Sequence, residues 1–480
     1  MSLRALAAAL LALLAARAGA QEAGPTGPAA PEAPALALRE AVLLALEHNP
    51  SLKAQRLTPA IRRTAVREEQ GLLDPLLTAE ASQTWPAASA SAGSGAEAGL
   101  SLDFPTGTSV NASLAAGWDP VSAGYDVEVT QALLAGGRLA ANLARVRQAR
   151  LDAVASEHEL RGFTEALVAD VQKAYWDHYL ALRQREIYRE SLALAERQLE
   201  ESRVRVQVGQ IAPIELAAPR AELTSRREAL REGEKRVETT RLALLLRIAP
   251  PGASMEAPVR LADSPAPPEG PLEDQAGHVA LGLRRRPELL QARLELERGE
   301  LEVTRTRSGL LPRLDAFVGL GGTGYAAAFA GTFPAAGEAS SLSAGLRLQL
   351  ALGNRGAKAR ADRARLSRVQ AEESLRALER TVEADVRSAW LEAVFTAERV
   401  TSSAELRRLQ EEKLTAETEK FRTGSSTTFL VAQAQRDLLA SQLAEAQAAV
   451  GYLLAFVSLY RLEGTLLERS GVAVEADPAD

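Results

Sequence analysis

One stretch of this sequence occurs twice, and it limits the fold more than any other feature. Val206-Gln207-Val208-Gly209-Gln210-Ile211-Ala212-Pro213-Ile214-Glu215-Leu216 matches Phe421-Arg422-Thr423-Gly424-Ser425-Ser426-Thr427-Thr428-Phe429-Leu430-Val431 at a constant step of 215 residues, as from Gly209 to Gly424. The same step relates Asp170-Val171 to Asp385-Val386 and Ala174-Tyr175 to Ala389-Trp390. It also relates Leu216, Leu223, Val237 and Leu244 to Val431, Leu438, Tyr452 and Leu459. A step held without a gap over such a span marks an internal duplication. In each copy a lone glycine separates two long polar-apolar segments. Glycine accepts the left-handed conformation of a C-terminal helix cap, and Pro213, or Ser425 to Thr428 in the second copy, suits the start of the next helix. Each copy therefore predicts two long helices folded back at the glycine.

No proline intervenes from Leu139 to Val208 or from Ala357 to Thr423. Some 70 residues at 1.5 Å each make a helix on the order of 100 Å long, too long for the core of a compact domain. In the return helix Leu216, Leu223, Leu230, Val237 and Leu244 recur every seventh residue among Arg and Glu, which is coiled-coil periodicity. The second copy keeps the pattern except at Glu445, and Ala440, Ala444, Ala446, Ala448 and Ala449 allow close helix approach. Pro219 inside the return helix predicts a kink near the first tip.

An entry module is duplicated as well. Asn49-Pro50-Ser51-Leu52 opens a helical stretch that stops before Asp74-Pro75, and Arg286-Pro287-Glu288-Leu289 opens one that stops before Pro312; both prolines recur after 25 residues. Beyond each module the helical period gives way to alternation. Leu76 to Trp85 and Ala98 to Gln131 carry it in the first half, the latter with Pro105-Thr106-Gly107-Thr108 as a turn. Arg313 to Leu320 and Leu342 to Leu350 carry it in the second. The economical reading is two strands per half, near the roughly 10 residues that a tilted transmembrane strand needs. Aromatics make up 4% of the chain, yet Trp85, Phe104, Trp118, Tyr125 and Phe317 fall in these segments and Tyr325, Phe329 and Phe333 in the Gly-, Ala- and Ser-rich loop between the last two, where a barrel would place an interfacial girdle.

Arg4, the apolar run Ala5 to Ala16 and the small residues Ala18-Gly19-Ala20 predict an export signal cut before Gln21. No later run looks long and apolar enough for a membrane helix, so a membrane-embedded form would have to span by strands. The expected organisation is a signal peptide at 1–20, a flexible leader at 21–35 and a first repeat at 36–249. A proline-rich linker or equatorial region at 250–275, a second repeat at 276–464 and a disordered tail at 465–480 follow. The chain has no cysteine, which excludes disulfides, thiolate catalysis and cysteine metal sites. His48, His158, His178 and His278 are scattered without ligand or triad spacing, so no catalytic set, metal or cofactor is expected. The net charge of −6 is mild and interspersed, and nothing points to nucleic acid.

In combination and in this order, the two entry modules, Leu310-Leu311-Pro312-Arg313-Leu314, Leu352-Gly353-Asn354-Arg355 and the two glycine tips resemble the TolC family of outer-membrane efflux proteins across nearly the whole chain. The resemblance implies a mainly α chain with β. Its duplicated long hairpins would build a trimeric α-barrel, and four strands per chain would enter a shared 12-stranded transmembrane β-barrel. It further implies a homotrimer in the lipid of a Gram-negative outer membrane, extending into the periplasm. That trimer would be the passive exit duct of a tripartite efflux or type I secretion system, served by a periplasmic adaptor (membrane fusion) protein and an inner-membrane pump. Closure through several chains would also remove the open strand edges that a bilayer forbids.

By the same resemblance Val206, Gly209, Phe421, Arg422 and Gly424 are the expected adaptor-docking residues, though a helix-helix turn by itself also needs the glycines. Glu215, Leu430 and Gln433 fall where the family narrows its tunnel. Family members often place acidic rings just after the second tip, but Leu430 and Gln433 are not acidic. Glu215 serves either an acidic ring of three or simply the positive end of its helix. Two other classes compete. A soluble periplasmic coiled-coil adaptor or scaffold would account for the signal and the heptads but not for the strand segments. An exported enzyme would need convergent acid, base or metal ligands, and the acids here lie scattered on solvated helix faces.

Overall fold

The computed structural model describes residues 35–85, 93–118, 121–250, 252, 254–266, 274–325 and 340–472. The expected signal peptide, most of the leader, Phe329, Phe333 and the last eight residues lie outside them. The chain forms two compact units, one of residues 1–56, 161–287 and 379–480, the other of 57–160 and 288–378.

The second unit holds the sheet. Helix α2 (Pro50–Gly71) leads to β2 (Leu76–Thr84), β3 (Gly93–Asp103), β4 (Thr108–Trp118) and β5 (Val121–Ala132), after a short β1 (Ala35–Leu36) and α1 (Leu38–His48) in the first unit. A short α3 (Leu139–Asn142) precedes the long α4 (Ala144–Gln207), so the expected single helix from Leu139 is broken at Leu143. In the second repeat α7 (Pro287–Ser308) leads to β7 (Arg313–Tyr325), β8 (Ser340–Gln349) and α8 (Arg355–Arg422); α4 and α8 contribute to both units.

The sheet has six strands in the order β2-β3-β4-β5-β7-β8, every neighbour pair antiparallel. This corrects the expectation of four strands per chain. Ala98 to Gln131 is 34 residues, about 110 Å if extended as one strand, several times what a bilayer crossing uses. The chain instead folds it into three strands, and the turn at Pro105 to Thr108 is only the first of the two reversals.

The first unit packs helices. The distal part of α4 is followed by a 3₁₀ turn (Pro213–Leu216), α5 (Ala217–Ile248), β6 (Arg260–Leu261) and α6 (Gln275–Arg285), and the distal part of α8 by α9 (Thr428–Leu462) and α10 (Leu466–Arg469). The heptad residues Leu223, Val237 and Leu244 are buried on α5, as are Val431 and Leu459 on α9. The exception in the heptad is explained: Glu445 takes Arg407 of α8 at 2.7 Å. Pro219 makes no mid-helix kink, because α5 begins at Ala217 and the proline occupies its first turn, where the missing N–H has no partner to lose.

Two further expectations change here. Leu466 and Leu467, placed in a disordered tail, are 2% and 3% exposed on α10 and belong to the core. Helix α9 is long and apolar enough to cross a membrane, with a mean hydropathy of 1.4 over its best 18-residue window. In sequence, its run of alanines predicts only close helix packing.

Candidate functional site: a two-faced sheet and paired hairpin tips

The register of the sheet sorts its side chains by chemistry. Because side chains alternate along each strand, residues paired across strands share a face. One row runs Ala79, Ala98, Leu114, Tyr125. Another runs Leu100, Ala112, Val127, Leu320, Leu342, and a third Leu102, Val110, Val129, Val318, Ala344. The first is apolar across four strands and the other two without interruption across five. Leu77 joins them from β2 opposite Leu100, and Leu346 and Leu348 from β8 opposite Ala316 and Leu314. This face is also bare: Leu77 and Leu342 are each 75% exposed, and Leu114, Val318 and Leu346 are likewise exposed.

The opposite face is polar. Glu80 stands directly across from Glu97, Ser101 from Asn111 with a 2.8 Å hydrogen bond, and Asn111 in turn from Glu128. Asp103, Asp126 and Asp315 lie on the same face, with Arg313 and Arg347 as its basic side chains. Arg313 pairs with Asp315 at 2.7 Å and Arg347 approaches Glu128 at 3.7 Å. Trp85, Trp118 and Tyr325 gather at one rim, since β2, β4 and β7 all run toward it; all three are exposed.

At the opposite rim the β3–β4 turn is fixed to the start of the helices. Gly107 has φ +80° and its N–H donates to the Phe104 carbonyl at 2.9 Å, while Ala132 N–H donates to the Gly107 carbonyl at 2.8 Å. A Cβ on Gly107 would stand 2.3 Å from the Gly136 carbonyl oxygen, so only glycine fits. Gln131 Nε2 donates to the Thr106 carbonyl at 3.1 Å, and Asn142 Nδ2 to that of Pro105 at 2.9 Å.

The two hairpin tips, in the first unit, are built alike. Gly209 and Gly424 take φ +76° and +79°. Gln210 N–H donates to the Arg205 carbonyl and Ser425 N–H to that of Lys420, each at 2.8 Å, while the glycine N–H groups reach Val206 and Phe421. This six-to-one and five-to-two pairing is the Schellman motif, so the duplicated glycines are accounted for by the turn. The copies differ afterwards: Pro213 opens a 3₁₀ turn, whereas the Thr427 hydroxyl caps α9 by accepting from Leu430 N–H at 3.3 Å.

Of the expected tip residues, Phe421 makes a contact across the two tips. The Arg205 guanidinium sits 4.2 Å above the Phe421 ring, joining the first tip to the second. Arg422 is exposed and pairs with Glu419 of its own helix at 2.8 Å; Val206 is half-buried. Val208, Ile214 and Phe429 are 63%, 79% and 68% exposed, a bare apolar cap that sequence reasoning passed over because no period marks it. Glu215 is exposed in the 3₁₀ turn, and Leu430 is 46% exposed. Gln433 donates to Asp437 at 2.8 Å and accepts from Arg436 at 3.0 Å. Arg436 reaches Glu222 of α5 at 3.2 Å, and Glu222 also holds Arg226. Lys413 of α8 pairs with Asp437 at 2.7 Å and holds its carboxyl below the usual range. Glu222 could not be singled out among the charges that cover α5, and Arg436 and Asp437, two of the few charges on α9, carry no spacing that points to partners on other helices.

His178 and His278 are buried, bonded to Thr240 and Glu463 respectively. Among the described residues no group of three His, Cys, Asp or Glu could hold a metal.

The model of one protein family, described as outer membrane efflux protein, matches residues 280–465. No curated protein matches the chain. Among solved structures, the CmeC outer membrane channel of Campylobacter jejuni superposes with a TM-score of 0.66 at 16% identity, over 93% of this chain and 94% of that one. The outer membrane protein VceC of Vibrio cholerae does so with 0.67 at 16% identity, over 89% and 96%. A membrane protein from Pseudomonas aeruginosa gives 0.70 at 20% identity, over 92% and 99%.

Proposed function

We propose that this chain is the outer-membrane channel of an efflux system, the function that its match to the outer membrane efflux protein family over residues 280–465 suggests for its fold. The observation that carries the reading is the two-faced sheet. An apolar, uncovered face of this extent on a soluble protein would be covered by a partner or would aggregate, whereas acyl chains suit it and the acidic face suits a water-filled lumen. A periplasmic scaffold gives no reason for such a face.

In finer terms, three copies close their sheets into one barrel and their hairpins into one tunnel, and solutes pass down it without chemistry. Energy and selectivity come from an inner-membrane pump joined through a periplasmic adaptor. The adaptor docks on the tips through Val206, Gly209, Phe421, Arg422 and Gly424, and the exposed apolar side chains of Val208, Ile214 and Phe429 in the same tip segments suit an apolar partner. Glu215, Leu430 and Gln433, with Glu222 and Arg436 linking the two repeats, set the constriction.

Conductance across a planar bilayer tests this directly. Detergent-purified protein that runs as a trimer on a non-denaturing gel and yields discrete single-channel steps supports the channel. A stable, water-soluble protein that never inserts overturns it in favour of the scaffold.

A further inference from the structure

The two repeats differ in length at one place. From Pro75 to Arg138 the chain advances 63 residues, but from the matching Pro312 to Arg355 only 43. The first repeat thus carries 20 more, the length of one hairpin of two strands like those seen, and it has four strands where the second has two. From this we propose that the wall of the assembled barrel contains eighteen strands, six from each of three copies. The inference rests on the trimer proposed above and concerns the width of its outer-membrane exit.

Three observations place the additional hairpin in the wall rather than outside it. The first is hydrogen bonding: β3, β4 and β5 form continuous ladders of nine and eleven paired residues, and β5 pairs with β7 over eleven more. Removing a hairpin from the wall would break ladders whose polar groups have no substitute inside a bilayer. The second is chemistry, since the apolar rows cross β3, β4 and β5 without interruption, and Asn111 and Ser113 of β4 take their places on the polar face opposite Glu128 and Asp126. A hairpin folded away from the bilayer has no need of that alternation. The third is the lock at the base of the turn, where Gly107, Gln131 and Asn142 bind it to the junction from which the helices leave.

The edges fit the same assembly. Six is even, so β2 runs opposite to β8, and β8 of one copy can pair antiparallel with β2 of the next around a closed ring. Both edge strands lie bare, β2 along its whole length. At a strand spacing of about 4.8 Å and a tilt of about 40°, eighteen strands enclose a circumference of about 113 Å, against about 75 Å for twelve. Diameter grows linearly with strand number, so this exit is about 1.5-fold wider than twelve strands give at the same tilt.

The chain has no native cysteine, so the test needs only single substitutions. Each of Ser109→Cys, Val110→Cys, Asn111→Cys, Ala112→Cys, Ser113→Cys and Leu114→Cys in the full chain is spin-labelled in lipid vesicles, after a non-denaturing gel confirms the trimer. Collision with oxygen reports lipid, and collision with a water-soluble nickel chelate reports water. The expected result is alternation of period two, with positions 110, 112 and 114 oxygen-exposed and 109, 111 and 113 nickel-exposed. Trimers in which all six positions meet the nickel chelate overturn the eighteen-stranded wall and leave the channel standing. If no variant or parent forms a membrane-bound trimer, the proposed function falls and takes this inference with it. Counting strands in an electron cryomicroscopy map of the unmodified trimer is the second reading: eighteen supports the proposal, twelve overturns it.

Discussion

Tyr175 ties three segments together through one oxygen. Its hydroxyl lies 2.9 Å from the Leu36 carbonyl and 3.1 Å from Asp263 Oδ2, and accepts from Asp263 N–H at 3.2 Å. Asp263 in turn accepts from Leu38 N–H at 2.6 Å, which fixes the first turn of α1. Burial pushes the Tyr175 hydroxyl up to about 12, so it remains a proton donor throughout the working range. Tyr175→Phe keeps the ring and leaves these groups short of a partner. The expected cost is about 1–3 kcal/mol, read as a lower unfolding midpoint of the purified protein, and no loss would mean that water replaces the hydroxyl. His178 gives a pH dependence. Burial, with Arg241 adding to it, lowers its pKa to about 4 from the ordinary 6.5. The folded state therefore binds fewer protons than the unfolded one between these values, and stability falls as pH drops from about 6.5 to about 4. At most about 3 kcal/mol is involved. His178→Leu should flatten this part of the stability–pH curve, and an unchanged slope would assign it to other groups. Neither role was legible in sequence: Tyr175 stood out only as a repeat marker paired with Trp390, because Leu36 and Asp263 are distant in the chain and belong to segments of little period.

At the scale of elements the duplication made the hairpins legible, since a left-handed glycine and a seven-residue repeat are local and strong. The sheet was legible in kind but not in number. Alternation marks a strand wherever it occurs but does not count strands: the apolar set keeps its parity from Leu102 to Val110 across the first reversal and shifts it between Leu114 and Tyr125 across the second, where no turn signal like Pro105 to Thr108 marks the change. The tips offer a prediction that separates turn from docking surface. Nothing lies within 4 Å of a Cβ built on Gly424, so a side chain there meets open space and only the backbone objects. Asparagine tolerates that conformation far better than alanine or a β-branched residue. Gly424→Asn should therefore keep the trimer and its thermal stability while reducing export severalfold, because its amide projects into the surface proposed for the adaptor. If export is unaffected while Gly424→Val lowers stability, the glycine serves the turn alone.

For the whole molecule the decisive quantity is the charge on the polar face of the sheet. Glu80, Glu97, Asp103, Asp126, Glu128 and Asp315 are set against Arg313 and Arg347, an excess of four negative charges per copy. Three copies would bring about twelve such charges into one lumen, flanked by a lipid wall of low dielectric that concentrates their field. Glu80 and Glu97 face each other across β2 and β3, a cross-strand pairing of like charge that costs stability. Such a pair is tolerable where water and counter-ions fill the space in front of it. Under a potassium chloride gradient the channel should be cation-selective, with a reversal potential of the corresponding sign. Raising the salt should shrink the preference, because the Debye length falls from about 10 Å at 0.1 M to about 3 Å at 1 M. Glu97→Gln removes three of these charges from a trimer and also relieves Glu80, so it should lower selectivity while leaving the trimer at least as stable. A reversal potential unmoved by Glu97→Gln would mean that ions are sorted at the tips, by Glu215, Glu222 and Arg436, and not in the membrane.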